Sequence, residues 1–176
     1  MSSQPLVVLT GPPGSGKSTV ARIVSQLLDV EARDTDSDVE ATAGKPISEI
    51  FIDDGEPLFR SLEARAVTQA LRTHDGVLSL GGGAVMDPAT QDALEEYKNR
   101  GGCVVFLDVS LAAAAPRIGF NQSRPLLLGN PRAQWKALMD QRRATYCNVA
   151  NVHVLTDNQT PYEVAHTIVQ RMKNGS

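Results

Sequence analysis

The chain has 176 residues, enough for one domain with a substantial core; 41% are apolar and 21% charged, which excludes a disordered protein. A net charge of −3 argues against a nucleic-acid footprint or a polybasic membrane patch, so any pull on an anion must come from a few basic residues gathered in one place. Cys103 and Cys147 show no metal-ligand spacing, no apolar run approaches the ~20 residues of a membrane span, and the N-terminus lacks a signal-peptide layout. A reduced, soluble, cytoplasmic protein is expected.

Pro5 to Thr10 is a continuous apolar run, as in a strand buried on both faces. Gly11 to Ser18 breaks it, and Val20, Ile23, Val24, Leu27 and Leu28 then recur at helical spacing between Ser18 and Leu28. A second strand is predicted over Val30 to Arg33, and the S-x-x-E pair Ser37 and Glu40 predicts a helix start. A helix over Glu56 to Thr73, a strand over Gly76 to Leu80, a helix over Pro88 to Lys98 and a strand over Gly102 to Asp108 follow. After Ser110 come a short helix, an irregular stretch from Gly119 to Pro131, a helix over Ala133 to Tyr146, a strand over Val152 to Leu155 and a last helix over Pro161 to Met172. Strands separated by helical stretches need crossover connections, which implies a parallel sheet with helices on both faces in one three-layer α/β domain, residues 1–176. The irregular stretch is long for so small a domain and predicts a functional lid over about 117–131.

Gly11-Pro12-Pro13-Gly14-Ser15-Gly16-Lys17-Ser18 matches G-x-x-x-x-G-K-[ST] in full. Consecutive backbone N–H groups must turn inward around a phosphate, and side chains at 14 and 16 would obstruct that approach. The loop follows a buried strand and opens an amphipathic helix, whose N-terminus favours anions. Gly14, Ser15, Gly16, Lys17, Ser18 and, with less support, Thr19 are the candidate nucleotide contacts, Lys17 for the β- and γ-phosphates and Ser18 for Mg²⁺. The loop selects the donor, ATP, and leaves the acceptor open. The N-K-x-D signature of a signalling GTPase is absent.

Asp34 and Asp36 stand two apart at the end of the second strand. If extended, both face the crevice at the carboxyl ends of the strands, one for Mg²⁺ and one for a substrate hydroxyl; acidic residues opening the next helix would equally suit its dipole. Arg142 lies on the apolar stripe of Trp135, Leu138, Met139 and Tyr146, and Arg60 shares a face with Ala64, Val67 and Leu71. An inward guanidinium needs an anionic partner, either a carboxylate ligand or a structural Asp or Glu. Arg143, at the stripe's edge, is expected in solvent. Gly81 to Gly83 follow a strand, as a tight turn or as a place of close ligand approach. Arg117 and Arg124 flank the predicted lid and could bring positive charge onto the transferring phosphoryl group, or be solvated loop residues.

The phosphate loop, Asp34-Thr35-Asp36, Phe59-Arg60, Gly81-Gly82-Gly83-Ala84-Val85, Arg124-Pro125-Leu126 and Arg142 through Tyr146 occur in an order and spacing that resemble shikimate kinases, from Leu6 to about Val169. The resemblance implies a five-stranded parallel sheet of order 2-3-1-4-5, a lid, and a substrate-binding region over about 34–62. It implies that Asp36, Arg60, Gly82, Gly83 and Arg142 contact shikimate and that Ser18 and Asp34 serve Mg²⁺. Arg117 and Arg124 would serve the nucleotide and lid, with Lys17, Asp36 and Arg124 catalytic. The loop Asp157 to Pro161 could cradle adenine, with Gln159 standing where some members carry a basic residue. The activity implied is ATP-dependent phosphorylation of the shikimate 3-hydroxyl, a step toward aromatic amino acids, by a monomer without nucleic-acid or membrane partners. The rival readings are a gluconate or nucleoside monophosphate kinase and a nucleotide-dependent switch.

Overall fold

In the computed structural model, residues 3–118 and 130–175 are described. Five strands occur among them, β1 (Val7–Thr10), β2 (Ala32–Asp34), β3 (Val77–Ser79), β4 (Val104–Asp108) and β5 (Val152–Leu155), all parallel in the order β2-β3-β1-β4-β5. The order reverses at β1: β3 lies on one side of it and β4 on the other, so the loop after β1 opens into the crevice where ligands bind in such sheets.

The apolar runs bury both faces. Val8, Leu78, Leu80, Val104 and Phe106 meet α4 (Glu56–Thr73), α5 (Pro88–Asn99) and α7 (Pro131–Val149) on one side. Val7, Leu9, Val77, Val105, Leu107, Val152 and Val154 meet α1 (Lys17–Leu28) and α8 (Pro161–Lys173) on the other. Val39, Ile50 and Phe59 form a smaller cluster among α2 (Thr35–Ala43), α3 (Ile47–Asp53) and α4, beside the end of β2. A short helix, α6 (Leu111–Ile118), follows β4. No described helix is long and apolar enough to cross a membrane.

One local expectation fails for a physical reason, and a second gains a partner. Ser37 does not cap a helix: α2 starts earlier, at Thr35, because the Asp34 side chain accepts from the Asp36 N–H at 2.8 Å. Glu40 accepts instead from the Ile47 N–H at 2.9 Å. Arg143 is exposed, as expected, and its guanidinium is also paired. Its Nη1 is 2.8 Å from Asp108 Oδ2, and His153 Nε2 is 3.0 Å from the same oxygen, so α7 is fastened to the ends of β4 and β5.

Burial pushes the Asp108 carboxyl up, but the hydrogen bonds from Arg143 and His153 outweigh it and hold Asp108 below the usual carboxylate range. A carboxylate with a depressed folded pKa stabilises the protein above its unfolded value and loses that contribution as pH falls through the folded one. Asp108→Asn should therefore cost about 1 kcal/mol at pH 7 by urea unfolding. The gap from wild type should narrow as pH falls below the usual carboxylate range; an unchanged gap at low pH would show that the charge is not the cause.

Candidate active site

The loop after β1 wraps as its glycines require. Gly14 and Gly16 have φ of 82° and 88°, the left-handed region that favours glycine. A Cβ on Gly11 would lie 2.5 Å from the Leu107 carbonyl oxygen. Lys17 folds over the loop, its Nζ donating to the carbonyls of Gly11 at 2.8 Å and Pro12 at 3.1 Å. A cleft of about 420 Å³ opens from here, lined by Gly14, Ser15, Gly16, Lys17, Ser18 and Thr19 together with Asp34, Asp36, Gly82, Arg117 and Gln159.

Ser18 Oγ donates to Asp34 Oδ2 at 3.1 Å. Among the described residues no group of three or more His, Cys, Asp or Glu could hold a metal. One hydroxyl and one carboxylate are the hard oxygen donors that suit Mg²⁺, which keeps several waters and is otherwise bound through substrate phosphates. Asp36 reaches the cleft by another route than expected: it is not extended but lies in the first turn of α2.

Arg117 Nη1 donates to the Gly14 carbonyl and to Thr156 Oγ1, both at 3.1 Å, and its Nη2 to the Thr156 carbonyl at 3.2 Å. It thus ties the phosphate loop to the β5–α8 turn. Gln159, in that turn, donates to the Leu155 carbonyl at 2.8 Å. Arg124 and most of the expected lid lie outside the described residues.

Beyond Gly82 the character of the cleft changes. Arg60 and Arg142 come from different helices, yet their guanidiniums converge: a Cβ on Gly83 would lie 2.6 Å from Arg60 Nη1 and 2.9 Å from Arg142 Nη2. Neither arginine lines the cleft proper; Arg142 adjoins it through Gly82, whose Cβ would lie 3.6 Å from Arg142 Nη1, and Arg60 meets Arg142 at Gly83. Arg142 is 6% exposed on the buried stripe of α7. Trp135 Nε1 donates to the Pro13 carbonyl at 2.8 Å, and the Tyr146 hydroxyl donates to the Gly82 carbonyl. One helix therefore touches the phosphate loop and the glycine turn at once.

Glu63, overlooked in the sequence, completes this region. It is 2% exposed and accepts from Arg60 Nη1 at 2.8 Å. Its Oε2 and Asp36 Oδ1 would both lie within 2.8 Å of a Gly81 Cβ. Burial pushes the Glu63 carboxyl up, against the opposing pull of Arg60. Its placement three residues after Arg60 on one helix was the available signal.

A phosphate loop opening into a cleft, beside a recess where two guanidiniums converge, fits a P-loop kinase acting on a small acid. Comparison with known proteins narrows this class. The shikimate kinase family model matches residues 13–173. A curated shikimate kinase from Salinispora arenicola is 55% identical over 92% of this chain and 93% of its own length, and one from Thermobifida fusca is 46% identical over 98% and 97%. The solved structure of a shikimate kinase from Acinetobacter baumannii in complex with shikimate superposes with a TM-score of 0.89 at 29% identity, covering 99% of this chain and 95% of that one. The chain belongs to the shikimate kinase family.

Gly83→Ala tests the convergence directly. The added methyl would push two flexible side-chain ends, not backbone, so the thermal midpoint should shift little. Initial-rate kinetics should show the KM for the acid acceptor rising about tenfold or more, because small misplacement of a positioning group is costly. The KM for ATP should stay within about twofold; equal changes in both would mean that the glycine serves the whole cleft.

Proposed function

We propose that this chain transfers the γ-phosphoryl group of MgATP to the 3-hydroxyl of shikimate, giving shikimate 3-phosphate and ADP. The observation that carries the reading is the meeting of Arg60 and Arg142 over Gly83, next to the phosphate loop. Two guanidiniums so placed suit a carboxylate, each able to make bidentate hydrogen bonds. Gly82 and Gly83 leave room for the ligand ring and offer backbone N–H groups to the same acid.

In this reading the loop amides of Gly14, Ser15 and Gly16 cradle the β-phosphate, Lys17 spans the β- and γ-phosphates, and Thr19 adds a hydroxyl. Ser18 and Asp34 would hold magnesium, whose charge would offset that of the phosphates. Asp36 aligns the attacking hydroxyl and is placed to take its proton. The new O–P bond forms in line as the bond to the β-phosphate oxygen breaks, and the electron pair leaves on ADP. Catalysis is then mainly positioning and charge stabilisation. Arg117 lies against the nucleotide side of the cleft, Gln159 lies where adenine would rest, and Arg124 supplies charge from the lid over about 117–131. The region over about 34–62 carries the acceptor within a single domain, residues 1–176. The protein works as a cytoplasmic monomer on a small molecule, without nucleic-acid or membrane partners.

ADP release measured with ATP and Mg²⁺ should be near background alone and should rise steeply with shikimate; stimulation by gluconate or a nucleoside monophosphate instead would replace the acceptor. Lys17→Met should lower kcat by about 10²–10³ in a protein whose circular dichroism is unchanged. Arg142→Lys should raise the KM for shikimate about tenfold or more, with a much smaller effect on ATP. If both constants move together, Arg142 does not hold the acceptor.

A further inference from the structure

Glu63 brings more to the recess than its hydrogen bond to Arg60 requires. An amide oxygen could accept from Arg60 Nη1 as the carboxylate does at 2.8 Å, yet a charged group stands there, 2% exposed. A buried charge is costly to keep out of water. What a carboxylate adds over an amide is the charge itself.

That charge falls on the recess. A Cβ on Gly81 would lie 2.8 Å from Glu63 Oε2 and 2.6 Å from Asp36 Oδ1, and one on Gly83 would lie 2.6 Å from Arg60 Nη1 and 2.9 Å from Arg142 Nη2. Two carboxylates thus adjoin one end of a short glycine turn and two guanidiniums the other, and their formal charges cancel. Glu56 also comes within 3.8 Å of Arg60 Nη2, but it is half-exposed and water screens it. Glu63 and Arg142 are buried, where screening is far weaker.

Without the Glu63 charge, the recess would be net positive beside a loop built for phosphates. Guanidinium forks match phosphate as readily as carboxylate. Such a recess would favour doubly charged anions over a singly charged acid. Coulomb's law sets the discrimination: a fixed charge acts on a dianion with twice the energy that it has for a monoanion at the same place.

We propose that Glu63 determines specificity by charge, its carboxylate setting the recess to accept a singly charged acid and to reject dianions such as phosphate or phosphonate compounds. The inference rests on reading the recess as the acceptor site of a kinase for a small acid. The selection comes from a repulsive element placed against the wrong ligand, not from an added contact to the right one.

Benzenesulfonate and phenylphosphonate are alike in shape and, at mildly alkaline pH, differ by one charge. Each is titrated calorimetrically into the full chain saturated with ADP, which occupies the phosphate loop. Wild type should bind the phosphonate no more tightly than the sulfonate. Glu63→Gln keeps an acceptor for Arg60; it should tighten the sulfonate about threefold and the phosphonate about tenfold, roughly the square of that factor. Arg142→Lys should weaken both, which locates them in the recess. If Glu63 only holds Arg60 in place, both anions will bind more weakly to Glu63→Gln, and the proposal is overturned. Equal changes for the two anions, or binding indifferent to Arg142→Lys, would also overturn it. So would a wild type that prefers the phosphonate by more than about tenfold, a result that needs no variant to fold. No acceptor is turned over in these titrations, so a failure to phosphorylate shikimate would leave the charge result standing, and the reverse also holds.

Discussion

The proposed acceptor half of the site depends on holding two like charges at one point. Two unit charges a few ångströms apart oppose each other by a few kcal/mol near a protein surface. Arg60 and Arg142 are kept in that position by helices anchored elsewhere: α4 through Phe59, Val67 and Leu71, and α7 through Trp135, Met139 and Tyr146. Glu63 offsets part of the repulsion from below. In the proposed reading, an arriving carboxylate would meet donors already in place, so little binding energy would be lost to rearrangement.

The same economy of parts joins the donor and acceptor halves. α7 reaches the phosphate loop through Trp135, the glycine turn through Tyr146 and the ends of β4 and β5 through Arg143 and Asp108. From there the Asp108 carbonyl accepts from Thr156 Oγ1, which also takes a hydrogen bond from Arg117 at the edge of the phosphate loop. The polar contacts therefore run around the cleft rather than across it, and they leave its centre open for two ligands to meet.

Much of this was legible in the sequence. β1, β3 and β4 announce themselves as short, mainly apolar runs because both of their faces are covered, and the order of the strands follows the family resemblance and is found in the sheet. The inward direction of Arg142 was readable because Trp135, Met139 and Tyr146 recur on its face at helical spacing. What stayed hidden depends on short or distant terms. α3 spans seven residues, too few for a period to show. The start of α2 turned on which of several acidic or hydroxyl residues reached the free N–H groups first. Arg143 finds Asp108 across 35 positions, a pairing that the sequence separates and only the sheet brings together.

Trp135 is the chain's single tryptophan, and its indole N–H is bound to the Pro13 carbonyl within the phosphate loop. The protein thus carries an intrinsic optical probe at its nucleotide site. Emission excited selectively at this one tryptophan, and not at the three tyrosines, offers a way to follow donor occupancy in the unmodified enzyme without a dye, a label or a coupled reaction.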